Sequence, residues 1–302
     1  LENKIKVAVM GCGHIGSFAC RAVQLAPDME LVGIVETGCK IDTIRCMFPN
    51  VTVVEDIHQL PVKPQVAILG VPTRTVIEVA PALLAEGIHT VDCFDMHGEP
   101  FLALRAKLGP VARENNTTAI SGAGVDPGVS TMIRTIFEMW APTGLTYVTY
   151  GPGMSMGHTV AAKSYAGVKD ALSITRPGDP GCHKRDLYLV ISEDYRFEEV
   201  KARILTDPYF SHDDVRVFEV EDVTPLIDMG HRIHVFRKGG SSGIDNQLLD
   251  FDTTFHNPAS TAQVMVSCAR ATTRLAPGAY TMIEVPPLAY LAGGEDLLKK
   301  LF

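Results

Sequence analysis

The feature that most constrains this chain is GCGHIG, Gly11 to Gly16, which fits the spacing G-x-G-x-x-G. It lies between an apolar run, KVAVM (Lys6 to Met10), and a stretch from His14 to Leu25 with apolar residues at three-to-four spacing. A strand, a glycine turn and a helix in that order are the opening of a dinucleotide-binding βαβ unit. Gly11 permits the tight turn, Gly13 lets a pyrophosphate approach the backbone, and Gly16 lets helix pack closely on strand. The helix N-terminus supplies N–H donors to the anion, so His14 and Ile15 join the glycines as cofactor candidates.

The same alternation continues through the first third of the chain. Strands are expected at Glu30 to Val35, Gln65 to Gly70, His89 to Asp92 and Thr117 to Ser121, with helices at Arg74 to Glu86 and Glu99 to Asn115. That is an α/β pattern, an N-terminal Rossmann doubly wound parallel sheet. After about Gly122 the pattern changes to a helix, Gly128 to Trp140, and longer strands at Leu145 to Tyr150, Asp186 to Ser192 and Arg232 to Lys238. A second α+β domain for substrate and dimer contacts is therefore expected over 123–275, with the first domain over 1–122 completed by about 276–302. An amphipathic helix is expected from Asn257-Pro258 to about Leu275, a returning strand at YTMIEV, and a turn or flexible loop at GGSSG, Gly239 to Gly243.

At 302 residues there is room for two such domains. A net charge of −8 has the wrong sign for a partner of nucleic acid. No apolar run reaches the roughly 18 to 20 residues of a membrane span. The seven cysteines, Cys12, Cys20, Cys39, Cys46, Cys93, Cys182 and Cys268, are scattered and never form CxxC, so free thiols in a reducing cytoplasm and no metal site are expected.

Glu36 ends the second strand about 20 residues after the last glycine, where a carboxylate bonds the ribose 2′-hydroxyl of NAD and repels the 2′-phosphate of NADP. Thr37, Gly38 and Cys39 follow it without an arginine, although Lys40 and Arg45 are close in sequence. The segment LGVPTR, with Pro72 and Thr73, follows another strand and is expected over the adenosine side of the cofactor. Asp95 and Asp126 also follow expected strands, at carboxyl ends where α/β sheets bind ligands. Asp92 reads instead as a strand-end turn cap.

Six further segments occur in order: HTVDCFDMHG (His89 to Gly98), SGAGVDPGVS (Ser121 to Ser130), GPGMSMGH (Gly151 to His158), SITRP (Ser173 to Pro177), HKRD (His183 to Asp186) and FHNPASTAQVM (Phe255 to Met265). Together they resemble the meso-diaminopimelate dehydrogenase family over essentially the whole chain. The resemblance implies an NADP(H)-dependent homodimer that oxidises the D-centre of meso-2,6-diaminopimelate to L-2-amino-6-oxopimelate and ammonia, reversibly. It implies that Asp95 and Asp126 hold the reacting amine and that Thr175, Arg185 and His231 contact the distal carboxylate. A guanidinium fork suits a carboxylate, which favours Arg185. His231 rather than His234 is selected only by the family pattern. Asn257 matches a family asparagine and is equally an N-cap candidate; Tyr150 matches an aromatic substrate cover and is equally an ordinary strand tyrosine. The glycines of GPGMSMGH, Gly157 among them, would offer N–H groups to the reacting carboxylate beside the apolar Met154 and Met156.

The chain departs from the family at Val125, where a tryptophan usually precedes the DPG sequence, and at Met156 and Val160, which are polar in stricter members. These departures resemble a subgroup with wider tolerance for D-amino acids. Glu36 likewise favours NAD(H) where the resemblance implies NADP(H). Two alternatives stay open: a relaxed D-amino acid or diamino acid dehydrogenase, and a non-catalytic dinucleotide-binding sensor.

Overall fold

A computed structural model describes residues 4–38, 41–178, 184–293 and 296–302. Cys39, Lys40, Cys182 and His183 lie outside the described residues. The chain runs β1 (Ile5–Met10), α1 (His14–Leu25), β2 (Met29–Val35), α2 (Ile41–Met47), β3 (Val53–Val54), β4 (Val66–Leu69), α3 (Thr73–Ala85), β5 (His89–Asp92), α4 (Glu99–Glu114), β6 (Thr118–Ser121) and α5 (Val129–Trp140). It continues through β7 (Thr143–Met154), α6 (Met156–Lys163), β8 (Val168–Arg176), β9 (Lys184–Ile191), α7 (Phe197–Thr206), β10 (Asp214–Glu219), β11 (Gly230–Ser241) and β12 (Ile244–His256). It ends with α8 (Asn257–Thr272), β13 (Gly278–Thr281) and α9 (Asp296–Leu301).

Two compact units result, Leu1–Met132 with Pro258–Phe302, and Ile133–Asn257. The first holds a seven-stranded parallel sheet in the order β13-β6-β5-β4-β1-β2-β3. Helices cover both faces of this sheet, which is why buried positions of its central strands, Val7 and Val9 on β1, Ile68 on β4 and Val91 on β5, are apolar. The second unit holds a six-stranded sheet in the order β10-β9-β8-β7-β11-β12, parallel only between β9 and β10. Helices α6 and α7 help build its apolar core, where Ala162, Val200 and Ile204 meet Leu187, Leu189 and Phe210.

The unit boundaries differ from the expected 122 and 275, and the main reason is α8. Expected as an amphipathic helix of the second domain, it is buried on nearly every side, and Ala262, Met265, Val266 and Ala269 enter the same core as Val7, Val9 and Ile120. Arg270 anchors it further, donating to Asp28 and to the Tyr290 carbonyl. The returning strand pairs with β6 but is GAYT, since Met282–Glu284 turns into a short 3-10 helix under a Thr281–Glu284 capping box. Gly239 and Gly240, expected in a loop, belong to β11, where a Cβ on Gly239 would lie 2.3 Å from the Thr143 carbonyl. Strand β12 is not evident in the sequence because most exposed positions of IDNQLLDFDTTFH are polar.

Candidate active site

In the first unit the glycine loop meets both sheet and helix. Gly11 has φ +81°, and a Cβ on Gly16 would lie 1.8 Å from the Gly11 carbonyl oxygen, so only glycine lets α1 sit this close to the loop. A Cβ on Gly13, by contrast, would meet nothing within 4 Å. That open side lies before the first turn of α1, whose N-terminus has no side-chain cap. This is the arrangement an anionic pyrophosphate requires. His14 is exposed at the start of α1, whereas Ile15 packs partly against the core. Glu36 does not trail into solvent: its Oε2 accepts the Cys12 N–H at 2.7 Å and its Oε1 the Thr37 N–H at 3.0 Å. The carboxylate is thus fastened to the glycine loop, and these residues fit a dinucleotide.

The two candidate aspartates leave the carboxyl ends of neighbouring strands, β5 and β6. Thr73, expected on the cofactor side with the exposed Pro72, donates its hydroxyl to Asp95 Oδ1 at 2.6 Å. Asp126 accepts from the Ser130 hydroxyl, and His97 Nε2 stands 3.6 Å from its other oxygen. Val125 precedes it and is half-buried. Sequence reasoning did not single out Ser130 and His97, though both lie within the quoted motifs.

Asp92 joins the two segments. Fully buried, it accepts from Phe94 N at 3.0 Å, Gly122 N at 3.3 Å and Ser121 Oγ at 2.8 Å, while its carbonyl accepts from Ala123 N at 2.7 Å. Burial outweighs these bonds and pushes its carboxyl from 3.8 up to about 6. Folding therefore favours the protonated form. The stability this group lends is complete below pH 3.8 and is lost as pH rises through about 6, a cost of up to roughly 3 kcal/mol at neutral pH. Asp92→Asn keeps an acceptor for both N–H groups and turns its amide toward Ser121. It is expected to stabilise the protein at pH 7.5 by about 1–3 kcal/mol and to have little effect at pH 4; urea unfolding at both pH values measures this. An equal effect at the two pH values would rule out the buried charge as its cause.

In the second unit, strand register gathers three candidates. Arg185 on β9 stands opposite Thr175 on β8, Thr175 opposite Gly153 on β7, and Gly153 opposite His231 on β11. The four form one row across the sheet, with strands spaced at ~4.8 Å. Gly153 contributes no side chain there; a Cβ would lie 2.0 Å from the Gly230 carbonyl. The row is therefore open between Thr175 and His231. His231 packs its ring edge-on at 5.9 Å from Phe255, while His234, three residues on and on the opposite face, pairs with Asp250 at 3.0 Å. His231 therefore shares the face of Thr175 and Arg185, and His234 does not.

Arg185 is buried, donates Nη1 to Thr175 Oγ1 at 3.3 Å, and donates Nε to Asp213. Its partner was invisible in sequence because Asp213 sits in a loop before β10 with no motif around it. Asn257 starts α8, and its amide donates to the Met154 carbonyl at 3.1 Å. Tyr150 is a half-buried strand residue opposite Ile233. Met156 packs on Met154, Leu172 and Val223, and Gly157 follows it in the first turn of α6.

Residues 5–91 match an oxidoreductase family with an NAD-binding Rossmann fold. Over nearly its full length the chain is similar to meso-diaminopimelate D-dehydrogenase of Bacteroides fragilis, 44% identical over 294 residues that cover 97% of each chain. This chain belongs to the meso-diaminopimelate D-dehydrogenase family. Among solved structures, C. glutamicum DAP dehydrogenase in complex with DAP superposes with TM-score 0.86 at 25% identity, covering 99% of each chain. An engineered D-amino acid dehydrogenase bound to NADP+ gives TM-score 0.86 at 24% identity, covering 98% of this chain and 99% of its own, a likeness of fold. Like its family, the protein is an NAD(P)-binding amino acid dehydrogenase. Among the described residues no cluster of His, Cys, Asp or Glu is arranged to hold a metal, and no helix is long and apolar enough to cross a membrane.

Proposed function

We propose that this enzyme oxidises the D-configured amino centre of meso-2,6-diaminopimelate to L-2-amino-6-oxopimelate and ammonia, and runs the reductive amination in reverse. The observation that carries this is the pair Asp95 and Asp126, at positions matching the family's amine-binding aspartates and linked through Asp92. One of these carboxylates takes the proton that the substrate ammonium must lose. The α-C–H bond then breaks with its electron pair, leaving an iminium that adds water and releases ammonia. A bound dinucleotide, with its pyrophosphate at Gly11, Gly13 and Gly16 and its adenosine ribose at Glu36, would supply through its nicotinamide the acceptor for that pair. Thr73 and Ser130 keep the two carboxylates oriented by donating to them. Thr175, Arg185 and His231 bind the distal carboxylate, with Tyr150, Gly157 and Asn257 completing the contacts. Cofactor reduction accompanied by one equivalent of ammonia on adding meso-diaminopimelate tests this; no ammonia would refute it.

Glu36 favours NAD(H) over NADP(H), since a 2′-phosphate beside the Cys12 N–H would meet a fixed carboxylate. Glu36→Arg is expected to raise the NADP-to-NAD ratio of kcat/KM on the order of tenfold or more. An unchanged ratio would place the ribose away from Glu36.

The second unit also supports a homodimer. On one face of its sheet Leu145 is 64% and Leu248 62% exposed, flanking Lys238 between them, with Tyr147 stacked on Phe236 in the next row and Asp250 beyond it. Exposed leucines and aromatic rings on a sheet face, interleaved with Lys238 and Asp250, suit association with a second copy. Sedimentation is expected to give the mass of two chains, falling to one for Leu248→Asp. A wild-type monomer would contradict it. Five free cysteines among the described residues accord with a reducing cytoplasm.

A further inference from the structure

In the proposed function Arg185 contacts the distal carboxylate, yet it already has an anionic partner. Asp213 accepts from its Nε, and the two side chains are only 6% and 13% exposed. Asp213 is in turn flanked by His158, whose Nε2 stands 3.6 Å from the same carboxylate and whose Nδ1 lies 3.1 Å from Ser155 Oγ. A ring contact at 4.7 Å to Tyr209 further fixes His158. The segment GPGMSMGH is thereby wired through His158 and Asp213 to the Arg185–Thr175 pair, by links to Asp213 that span tens of residues in sequence.

A binding site rejects a substrate that lacks one polar group because the site's own buried partner is then left unpaired. A lone buried Arg185 would impose that penalty on every substrate without a distal carboxylate. Asp213 removes it, because the guanidinium stays paired whether or not the substrate supplies an anion. It also opposes the distal carboxylate by like charge.

We propose that Asp213 is a specificity-determining residue that keeps Arg185 paired, so that the enzyme accepts D-amino acids lacking the distal carboxylate alongside the diacid. The proposal rests on Arg185 as the distal-carboxylate contact. The apolar Met156, packed on Met154 and Leu172, gives such substrates a surface to lie against.

D-lysine is the probe, since it is the diacid without its distal carboxylate. Steady-state kcat/KM is measured for meso-diaminopimelate and D-lysine in the wild type and in Asp213→Asn, Asp213→Glu and Arg185→Met. Asp213→Asn is expected to raise the diacid-to-D-lysine ratio roughly tenfold or more, through a lower KM for the diacid and a higher one for D-lysine. Asp213→Glu, which keeps the charge, is expected to stay near the wild-type ratio, and Asp213→Ser removes the charge should the asparagine variant fail to fold. A ratio unchanged or lowered by charge removal, while Arg185→Met still collapses it, overturns the role of Asp213 alone. A ratio unmoved by Arg185→Met overturns the reading of Arg185 and the proposal with it.

Discussion

Asp126→Asn is expected to lower kcat with meso-diaminopimelate by about 10²–10⁴-fold, the scale of a lost general base or of a misplaced reacting amine. Asparagine preserves the shape of the side chain and still accepts the Ser130 hydroxyl, so the loop from β6 into α5 should hold its conformation. What disappears is the negative charge that, in the proposed function, holds the substrate ammonium. Affinity for the cofactor should stay within about twofold, because the glycine loop and Glu36 are untouched. Stopped-flow reduction of the cofactor, with dinucleotide binding measured separately by fluorescence, divides the two quantities. An unchanged kcat would remove Asp126 from the chemistry.

Gly16→Ala should be the most damaging small substitution in the cofactor site. Its Cβ would stand 1.8 Å from the Gly11 carbonyl, and the obstacle is backbone on a loop that must stay compact. Relief requires α1 to move away from the sheet or the loop to open, at about 3 kcal/mol or more. Dinucleotide affinity is expected to fall at least roughly a hundredfold, with a matching loss in Tm. Gly13→Ala is the control. Its Cβ meets no protein atom within 4 Å, so Tm should barely change while the added methyl still occupies the pyrophosphate approach. Equal losses of Tm in both variants would show that the loop, and not the helix contact, is the sensitive element.

The Rossmann half was legible because burial on both sheet faces forces continuous apolar strands, and the glycine motif marks one of them. The register of β5 and β6 then brings Asp95 and Asp126 to adjacent strand ends, as expected of α/β sheets. The second unit was less legible. Its β12 is half exposed and alternates polar residues, and α8 reads as amphipathic yet serves a core built from residues far away in sequence. Asp213 and His158 were not legible for a related reason. Each is an ordinary polar residue until the fold sets Asp213 beside Arg185 and His158 beside Asp213, and no spacing rule connects a loop before β10 to a helix before β8. Glu36 lay between these cases: its position was readable, but its bond to Cys12 required the structure.

Stereochemistry decides whether the D-configured amino centre is the one oxidised. Initial rates of cofactor reduction are compared for meso-diaminopimelate and its L,L-isomer, under identical conditions and with NAD and NADP in parallel. Reduction with the meso compound and none with the L,L-isomer is the predicted result. No reduction with the meso compound, or equal rates with both isomers, would contradict the assignment of a D-centre dehydrogenase.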